Sequence, residues 1–193
     1  MAEASRETAK RLAAAGFKRK GLHLYRKIEE LFHGINFQAS QWNTASEGQF
    51  TVNLIVTSPV LYTEWIGRPF PANPASALFP IQTRIERPDW WKVGSETDYS
   101  SLAIEVASTI EHYGIQFFTS YESNQALLAQ LRKGICPGCT APQAAVVHAL
   151  LANHLGYKAE AGEAIKTALA RSSVSGFSER VVTVAHKLGL SVS

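Results

Sequence analysis

The sequence predicts an α+β fold, in which a four-stranded, largely antiparallel sheet carries packed helices and is followed by an all-helical C-terminal extension. Three observations predict it. Between residues 20 and 87, apolar and polar residues alternate in several segments with the two-residue period of half-buried strands. The connections at 28–30 and 43–48 have hairpin length, which favours antiparallel pairing. From residue 98 onwards, capped segments with helical spacing replace the alternation.

The N-terminal segment, residues 4–14, is rich in Ala, Arg, Lys and Glu and predicts a short helix with one weakly apolar face. Gly16 is placed to end this helix. The basic stretch 18–20 is expected to form a loop. The first strand is therefore expected only after Gly21.

Four strands are predicted from the alternating segments. The first covers 22–27, and the second runs from Leu31 towards Trp42 with apolar residues at most odd positions. The third covers 50–57 and the fourth 81–86. One face of the sheet is expected to pack inward, and the other to stay polar.

The connection between the third and fourth strands, residues 58–80, contains five of the eight prolines. Prolines at this density are expected to exclude both helix and central strand. A connection longer than about 15 residues is usually functional or disordered. Apolar side chains such as Trp65 and Phe70 indicate that this one packs against the rest of the chain.

Two capping signals mark helices directly after the sheet. Asp98 can cap a helix that Gly114 is placed to end. Ser123 can cap a second helix with a leucine stripe. These helices complete a predicted core domain of residues 1–133.

A C-terminal helical extension is predicted for residues 134–193. Thr140 begins its first helix with a capping box, and the segments 158–170 and 181–188 continue the helical pattern. Small alanine faces in this region allow close helix packing. They suit a cap on the core domain or a subunit contact in a homo-oligomer.

The composition indicates a folded protein in a reducing compartment, so a cytoplasmic location is expected. The chain has 193 residues, 46% of them hydrophobic, and it can bury a sufficient core without a cofactor. Its two cysteines, Cys136 and Cys139, lie too close together to staple a secreted domain. No window approaches 18 apolar residues, so no membrane span is expected. The net charge of +3 disfavours nucleic acid as a partner.

Several blocks occur in order along the first part of the chain: Gly16-Phe17-Lys18-Arg19-Lys20-Gly21, Tyr25-Arg26, Ile35-Asn36-Phe37-Gln38-Ala39-Ser40-Gln41-Trp42, Phe50-Thr51-Val52-Asn53-Leu54, Arg84-Ile85 and Trp90-Trp91. Together they resemble the bacterial domain of unknown function 4304 family. The resemblance covers about residues 10–118, with a weaker echo in the C-terminal helices. It implies no activity, cofactor or catalytic residue, because none is established for the family.

The candidate binding site is the polar face of the predicted sheet. The residues expected to project there are Asn36, Gln38, Ser40, Thr51, Asn53, Gln82 and Arg84, bordered by Trp42, Trp90 and Trp91. Amides and hydroxyls beside a guanidinium can hydrogen-bond a polar partner, while indole rings stack on its flat parts. The alternative is the ordinary wet face of an antiparallel sheet, or a face that helices cover and whose amides bond internally.

The Cys136-Pro-Gly-Cys139 motif directly precedes the capping-box helix, whose N-terminus favours a thiolate. However, no strand precedes the motif in a βαβ unit, as a dithiol oxidoreductase would require. His148 and His154 do not have zinc-finger spacing from it. A structural turn is therefore favoured over redox chemistry and zinc binding, and no metal site is predicted.

The sequence predicts a binding module that holds a protein, a peptide or a small polar ligand on the polar face. One alternative is a hydrolase or nuclease that uses Arg84 and Glu86 in a cleft roofed by the proline-rich connection. A second is an immunity-type or regulatory partner of a bacterial toxin or effector. No catalytic signature motif occurs in the sequence, which disfavours an enzyme.

Overall fold

An antiparallel sheet forms the centre of the computed structural model, which describes residues 1–72, 74, 77, 81–85 and 90–191. Its strands are β1 (Lys18–Lys20), β2 (His23–Ile28), β3 (Leu31–Ala39), β4 (Gly48–Thr57), β5 (Gln82–Arg84) and β6 (Trp91–Val93). The strand order is β1-β2-β3-β4-β5, and β6 pairs with β4 further along the edge that β5 occupies. The predicted antiparallel sheet is confirmed.

Helices precede and follow the strands along the chain, and a helix also lies between β4 and β5. They are α1 (Ala2–Arg11), α2 (Pro59–Ile66), α3 (Tyr99–Thr109), α4 (Ile115–Thr119), α5 (Asn124–Arg132), α6 (Ala141–His154), α7 (Lys158–Arg171) and α8 (Ser175–Lys187), with a π-helical segment at Ile110–Gly114. The predicted α+β class and the all-helical C-terminal region are confirmed. Among the described residues, none of the helices combines the length and the apolar character needed to span a membrane.

The described sheet has six strands rather than the predicted four. The basic stretch predicted as a loop is β1, which pairs with β2 across a two-residue turn at Gly21 and Leu22. The second addition is β6, which continues the edge after a break. Both have only three residues, too few to show an alternating pattern. Of the predicted fourth strand, Glu86 lies outside the described residues.

The proline-rich connection begins with a helix, which corrects the prediction of an irregular segment. Ser58 caps α2, since its hydroxyl accepts a hydrogen bond from the backbone N–H of Leu61. Pro59 occupies the first turn, where a missing N–H costs no helical hydrogen bond. Gly67 ends the helix with a φ of 72°, and the next proline comes only at Pro69. The rest of the predicted irregular connection lies partly outside the described residues.

Gly114 does not end the helix that Asp98 begins, contrary to the prediction. The chain continues through the π-helical segment into α4. A Cβ on Gly114 would lie 3.5 Å from Leu54 Cδ2 and 3.5 Å from Ile110 Cγ2. Both distances are ordinary van der Waals contacts, so a methyl group would fit between the helix and β4 at this position.

The hydrophobic core lies between one face of the sheet and the helices α3 and α4. The buried sheet residues on this face are Leu24, Leu31, His33, Ile35, Phe37, Phe50, Val52, Leu54, Val56 and Trp91. Phe118 of α4 stacks on His33 with ring centroids 4.5 Å apart. The period of two therefore directs alternate side chains into the core, as predicted.

Several contacts join the C-terminal extension to the core domain. Trp65 of α2 packs against Phe177 of α8, with ring centroids 5.6 Å apart, and its backbone carbonyl accepts a hydrogen bond from Arg180. The backbone N–H of Gln82 in β5 donates to the carbonyl oxygen of Pro137 at 3.0 Å. The predicted domain boundary stays a prediction.

His33 is buried at 0% exposure and linked to polar groups on both sides. Its Nε2 donates to the Tyr121 carbonyl oxygen at 2.7 Å, and its Nδ1 accepts from Arg26 Nε at 3.2 Å. Arg26 also donates to the carbonyl oxygen of Ala15 at 3.1 Å. The pKa of His33 is lowered from 6.5 to about 4, chiefly by burial; the hydrogen bond to Tyr121 opposes this shift, and the charge of Arg26 adds to it. The neutral imidazole is the form that this network requires.

We expect His33 to make the fold less stable in acid. The unfolded chain binds a proton at His33 below pH 6.5, whereas the folded chain resists it down to about pH 4. The contribution is complete above pH 6.5 and is lost as the pH falls to about 4. The unfolding free energy of the wild type relative to His33→Gln should fall by about 3 kcal/mol across this window. Urea unfolding of both proteins at several pH values measures this difference in unfolding free energy. A difference that stays constant with pH would contradict the prediction.

Candidate functional site

One row of side chains crosses five strands on the polar face of the sheet. The cross-strand partners are Lys20 with His23, His23 with Asn36, Asn36 with Asn53, and Asn53 with Arg84. Directly opposed residues of antiparallel strands project on the same face, so we call these five residues the polar row. With strands about 4.8 Å apart, the row extends roughly 19 Å. It has a cation at each end and amides at its centre.

Neighbouring polar side chains hold the central amides in position. Asn53 Nδ2 donates to Gln38 Oε1 at 2.8 Å. Asn36 Nδ2 lies 3.0 Å from His23 Nδ1, which accepts because an amide nitrogen donates. Within the described part of the chain, the Oδ1 atoms of Asn36 and Asn53 make no hydrogen bond. The row therefore presents oriented acceptors beside its cations.

Arg84 and Trp90 form one end of this surface. The guanidinium carbon lies 4.9 Å from the centroid of the indole ring, in a cation–π arrangement. Arg84 is exposed and Trp90 half-buried. No described carboxylate forms an ion pair with Arg84. A guanidinium held against a ring keeps its N–H edge available for bidentate binding of an anion.

Trp42 and Ser40 lie at the end of β3, and only one of them is exposed. Trp42 is 78% exposed and lines a cleft of about 470 Å³ together with Gln49 and Lys92. Ser40 is buried, and its hydroxyl accepts from the Trp42 backbone N–H at 3.2 Å and from Gln49 Nε2 at 3.4 Å. Ser40 therefore stabilises the loop and does not face a ligand, which corrects its predicted placement.

Trp91 lies in the core and not on the polar face, contrary to its predicted placement beside Trp90. It is 4% exposed, stacks on Phe50 with ring centroids 5.6 Å apart, and donates from Nε1 to Glu105 at 3.2 Å. The physical reason is the strand alternation itself. Adjacent residues of a strand point to opposite faces, so only one of two consecutive tryptophans can border the polar row.

Cations of β1 and β2 also lie on this face, to which the sequence analysis did not assign them. Lys18 shares the face through its partner Tyr25, and Lys27 shares it through its partner Phe32. None of the described strands contains Asp or Glu. The signal was the short spacing between the basic stretch and β2, with Gly21 at the turn, which is a hairpin pattern. The polar face is therefore more basic than the net charge of +3 suggests.

The proline-rich connection covers the opposite end of the same face. Phe70 stacks on Phe32 with ring centroids 5.4 Å apart, and Tyr62 meets Phe70 edge-on at 5.4 Å. Gln82 and Gln38 remain exposed, whereas Thr51 is buried. The open part of the polar face is therefore the part around the polar row.

Metal binding is not supported by the side chains that the structure describes. Among those residues, no group of three or more His, Cys, Asp and Glu side chains has an arrangement that could hold a metal ion. His148 contacts Glu160 at 2.6 Å, and His154 contacts Glu30 at 3.2 Å. Both histidines are thus engaged by carboxylates away from the polar row.

Comparison with known proteins identifies a family but no function. The family model described as "Domain of unknown function (DUF4304)" matches residues 8–120. This region contains the whole described sheet, α2, α3 and α4, and agrees with the resemblance seen in the sequence. No curated protein and no solved structure matches the chain.

The two adjacent tryptophans should respond differently to substitution. Trp91→Ala removes a core side chain and should lower the free energy of unfolding by about 3–5 kcal/mol. Trp90→Ala removes a half-buried ring and its cation–π contact, and should cost about 1 kcal/mol. Urea unfolding of the two variants measures the difference, and equal losses would contradict the assignment of Trp91 to the core.

Proposed function

The chain belongs to the DUF4304 family, and we propose that it is a binding module whose polar sheet face holds an acidic segment of a partner protein. The polar row carries this proposal. It combines a cation at each end with fixed amides at its centre, on a face whose described strands contain no acidic residue. The family description assigns no function.

Electrostatics supports an acidic partner. Lys18, Lys20, Lys27 and Arg84 lie on the same face. This face is therefore strongly positive, although the net charge of the whole chain is only +3. Complementary charge raises association rates and rejects basic partners. A carboxylate can form a bidentate pair with Arg84, which Trp90 holds in place.

The central amides support a polypeptide over other anions. Asn36, Gln38 and Asn53 offer both donors and acceptors, as the peptide groups and polar side chains of a partner require. The exposed indole of Trp42 adds the kind of aromatic anchor that is enriched in protein interfaces. Nucleic-acid binding would draw on the same lysines but would not require oriented neutral amides.

An enzyme remains the alternative with less support. Glu86, its proposed acid or base, lies outside the described residues. The base with a strongly lowered pKa, His33, is buried on the opposite face of the sheet. Two clefts lined by described residues lie away from Arg84.

An immunity-type role would use the same surface with a toxin or effector as the acidic partner. The identity of the captured protein distinguishes this role from a general binding function. A cytoplasmic location and a homo-oligomer formed through the C-terminal helices are further parts of the proposal. Sedimentation of the purified chain tests the oligomer separately from the polar row.

Arg84→Ala should reduce capture of the partner without unfolding the chain. The immobilised wild type, Arg84→Ala and the control Arg6→Ala are compared in a lysate of the native host, with quantitative mass spectrometry of the bound proteins. Arg6 is exposed on α1 and is not part of the sheet. Loss of a charge-assisted hydrogen bond costs about 1.5–3 kcal/mol, so the captured amount should fall at least about tenfold.

The bound proteins must meet three conditions to support the proposal. They must be retained by the wild type and by Arg6→Ala, be lost with Arg84→Ala, and contain an acidic segment that binds as a synthetic peptide. The same proteins on all three columns would refute the polar row as the site. If the Arg84→Ala column loses only nucleic acid and retains all the proteins that the wild type binds, a polypeptide partner is refuted.

A further inference from the structure

The Cys136-Pro-Gly-Cys139 turn brings two thiols into contact. The backbone N–H of Cys139 donates to the Cys136 carbonyl oxygen at 3.2 Å, and Gly138 has a φ of 76°, which suits glycine. Both cysteines are free, and Cys136 Sγ donates to Cys139 Sγ at 2.8 Å. A disulfide requires a sulfur separation of about 2.05 Å, so the turn already holds the pair near bonding geometry.

The two sulfurs are not chemically equivalent. The hydrogen bond to Cys139 raises the pKa of Cys136, and burial raises it further. Cys139 is the acceptor of this hydrogen bond and directly precedes Thr140, the N-cap of α6. A helix N-terminus stabilises a nearby thiolate. Cys139 is therefore placed to attack, and Cys136 to close the disulfide.

A cleft gives a reactant access to the pair. Its volume is about 570 Å³, and both cysteines line it together with residues of α5, α6 and α7. Within the same lining, Arg132 donates to both carboxylate oxygens of Glu160, at 2.8 and 2.7 Å, and His148 contacts the same carboxylate. This part of the lining is thus fixed, while both cysteines remain partly exposed.

A stabilising staple does not explain this arrangement. The entropic stabilisation from a disulfide grows with the length of the loop that it closes, and this loop contains only the four residues of the motif. Zinc does not explain it either, because no third ligand joins the pair among the described residues. Reversible thiol chemistry accounts for all three observations: the contact between the two sulfurs, the cleft that gives access to them, and the difference between the two thiols.

We propose that Cys136 and Cys139 form a dithiol–disulfide site that exchanges with a low-molecular-weight disulfide entering the cleft. The Cys139 thiolate attacks one sulfur of the disulfide, forms a mixed disulfide and releases one thiolate. Cys136 then loses its proton to water and attacks Cys139 Sγ, which releases the second thiolate. Two protein thiols are oxidised to one disulfide, and the small disulfide is reduced to two thiols. This site is independent of the polar row.

The test uses the full chain in buffers of reduced and oxidised glutathione. The intact mass of the wild type should fall by two hydrogen atoms, and no disulfide should link two chains. Both thiols should lose maleimide labelling and regain it after treatment with dithiothreitol. Cys136→Ser should accumulate a mixed disulfide with glutathione on Cys139. Cys139→Ser should form one at least about tenfold more slowly, because burial still raises the pKa of the remaining Cys136 thiol, and this thiol lies further along the chain from the N-cap of α6.

Three results would overturn the proposal. One is a folded wild type that keeps both thiols in oxidised glutathione. A second is equal reaction of the two serine variants, which would show that the sulfurs are equivalent. Peptide mapping of wild type after brief alkylation gives the order of reactivity without any substitution, and faster labelling of Cys136 than of Cys139 would also refute the mechanism.

Discussion

The pairing of β3 with β4 determines both the core and the polar surface of this protein. Its register aligns every residue from Phe32 to Ala39 with a partner between Thr57 and Phe50. A shift by one residue would exchange the two faces of a strand. It would move Ile35 to solvent and Asn36 into the core. The burial of one set of side chains therefore fixes the exposure of the other.

The sequence allowed the long strands to be predicted because each has enough residues to show a period of two. Burial of Leu31, His33, Ile35 and Phe37 follows that period without exception. The pattern could not reveal β1 and β6, since three residues do not define a period. The helix α2 was not predicted either, because the prolines of the connection were counted together, without regard to the position of each one. A proline in the first turn of a helix is compatible with that helix.

The candidate site was predicted in part for the same reasons. Asn36, Asn53 and Arg84 share a face because the alternation and the antiparallel order were both readable from the sequence. Trp91 was misplaced because its parity depends on β6, which the sequence does not indicate. The hydrogen bonds of Ser40 depend on the fold of the β3–β4 loop, which local patterns do not determine. The lysines of β1 were not assigned to the polar face because residues 18–20 were predicted to form a loop.

The bond between Gln82 and Pro137 has a consequence for how this sheet avoids self-association. An edge strand exposes backbone groups to which a strand of another molecule can add, and such addition leads to aggregation. The edge strand β1 consists of Lys18, Arg19 and Lys20, whose positive charges oppose pairing with β1 of a second copy. On the opposite edge, the N–H of Gln82 faces outward from β5 and is occupied by the carbonyl oxygen of Pro137. The C-terminal extension thus removes one exposed donor from the edge of the described sheet that lacks a run of like charges.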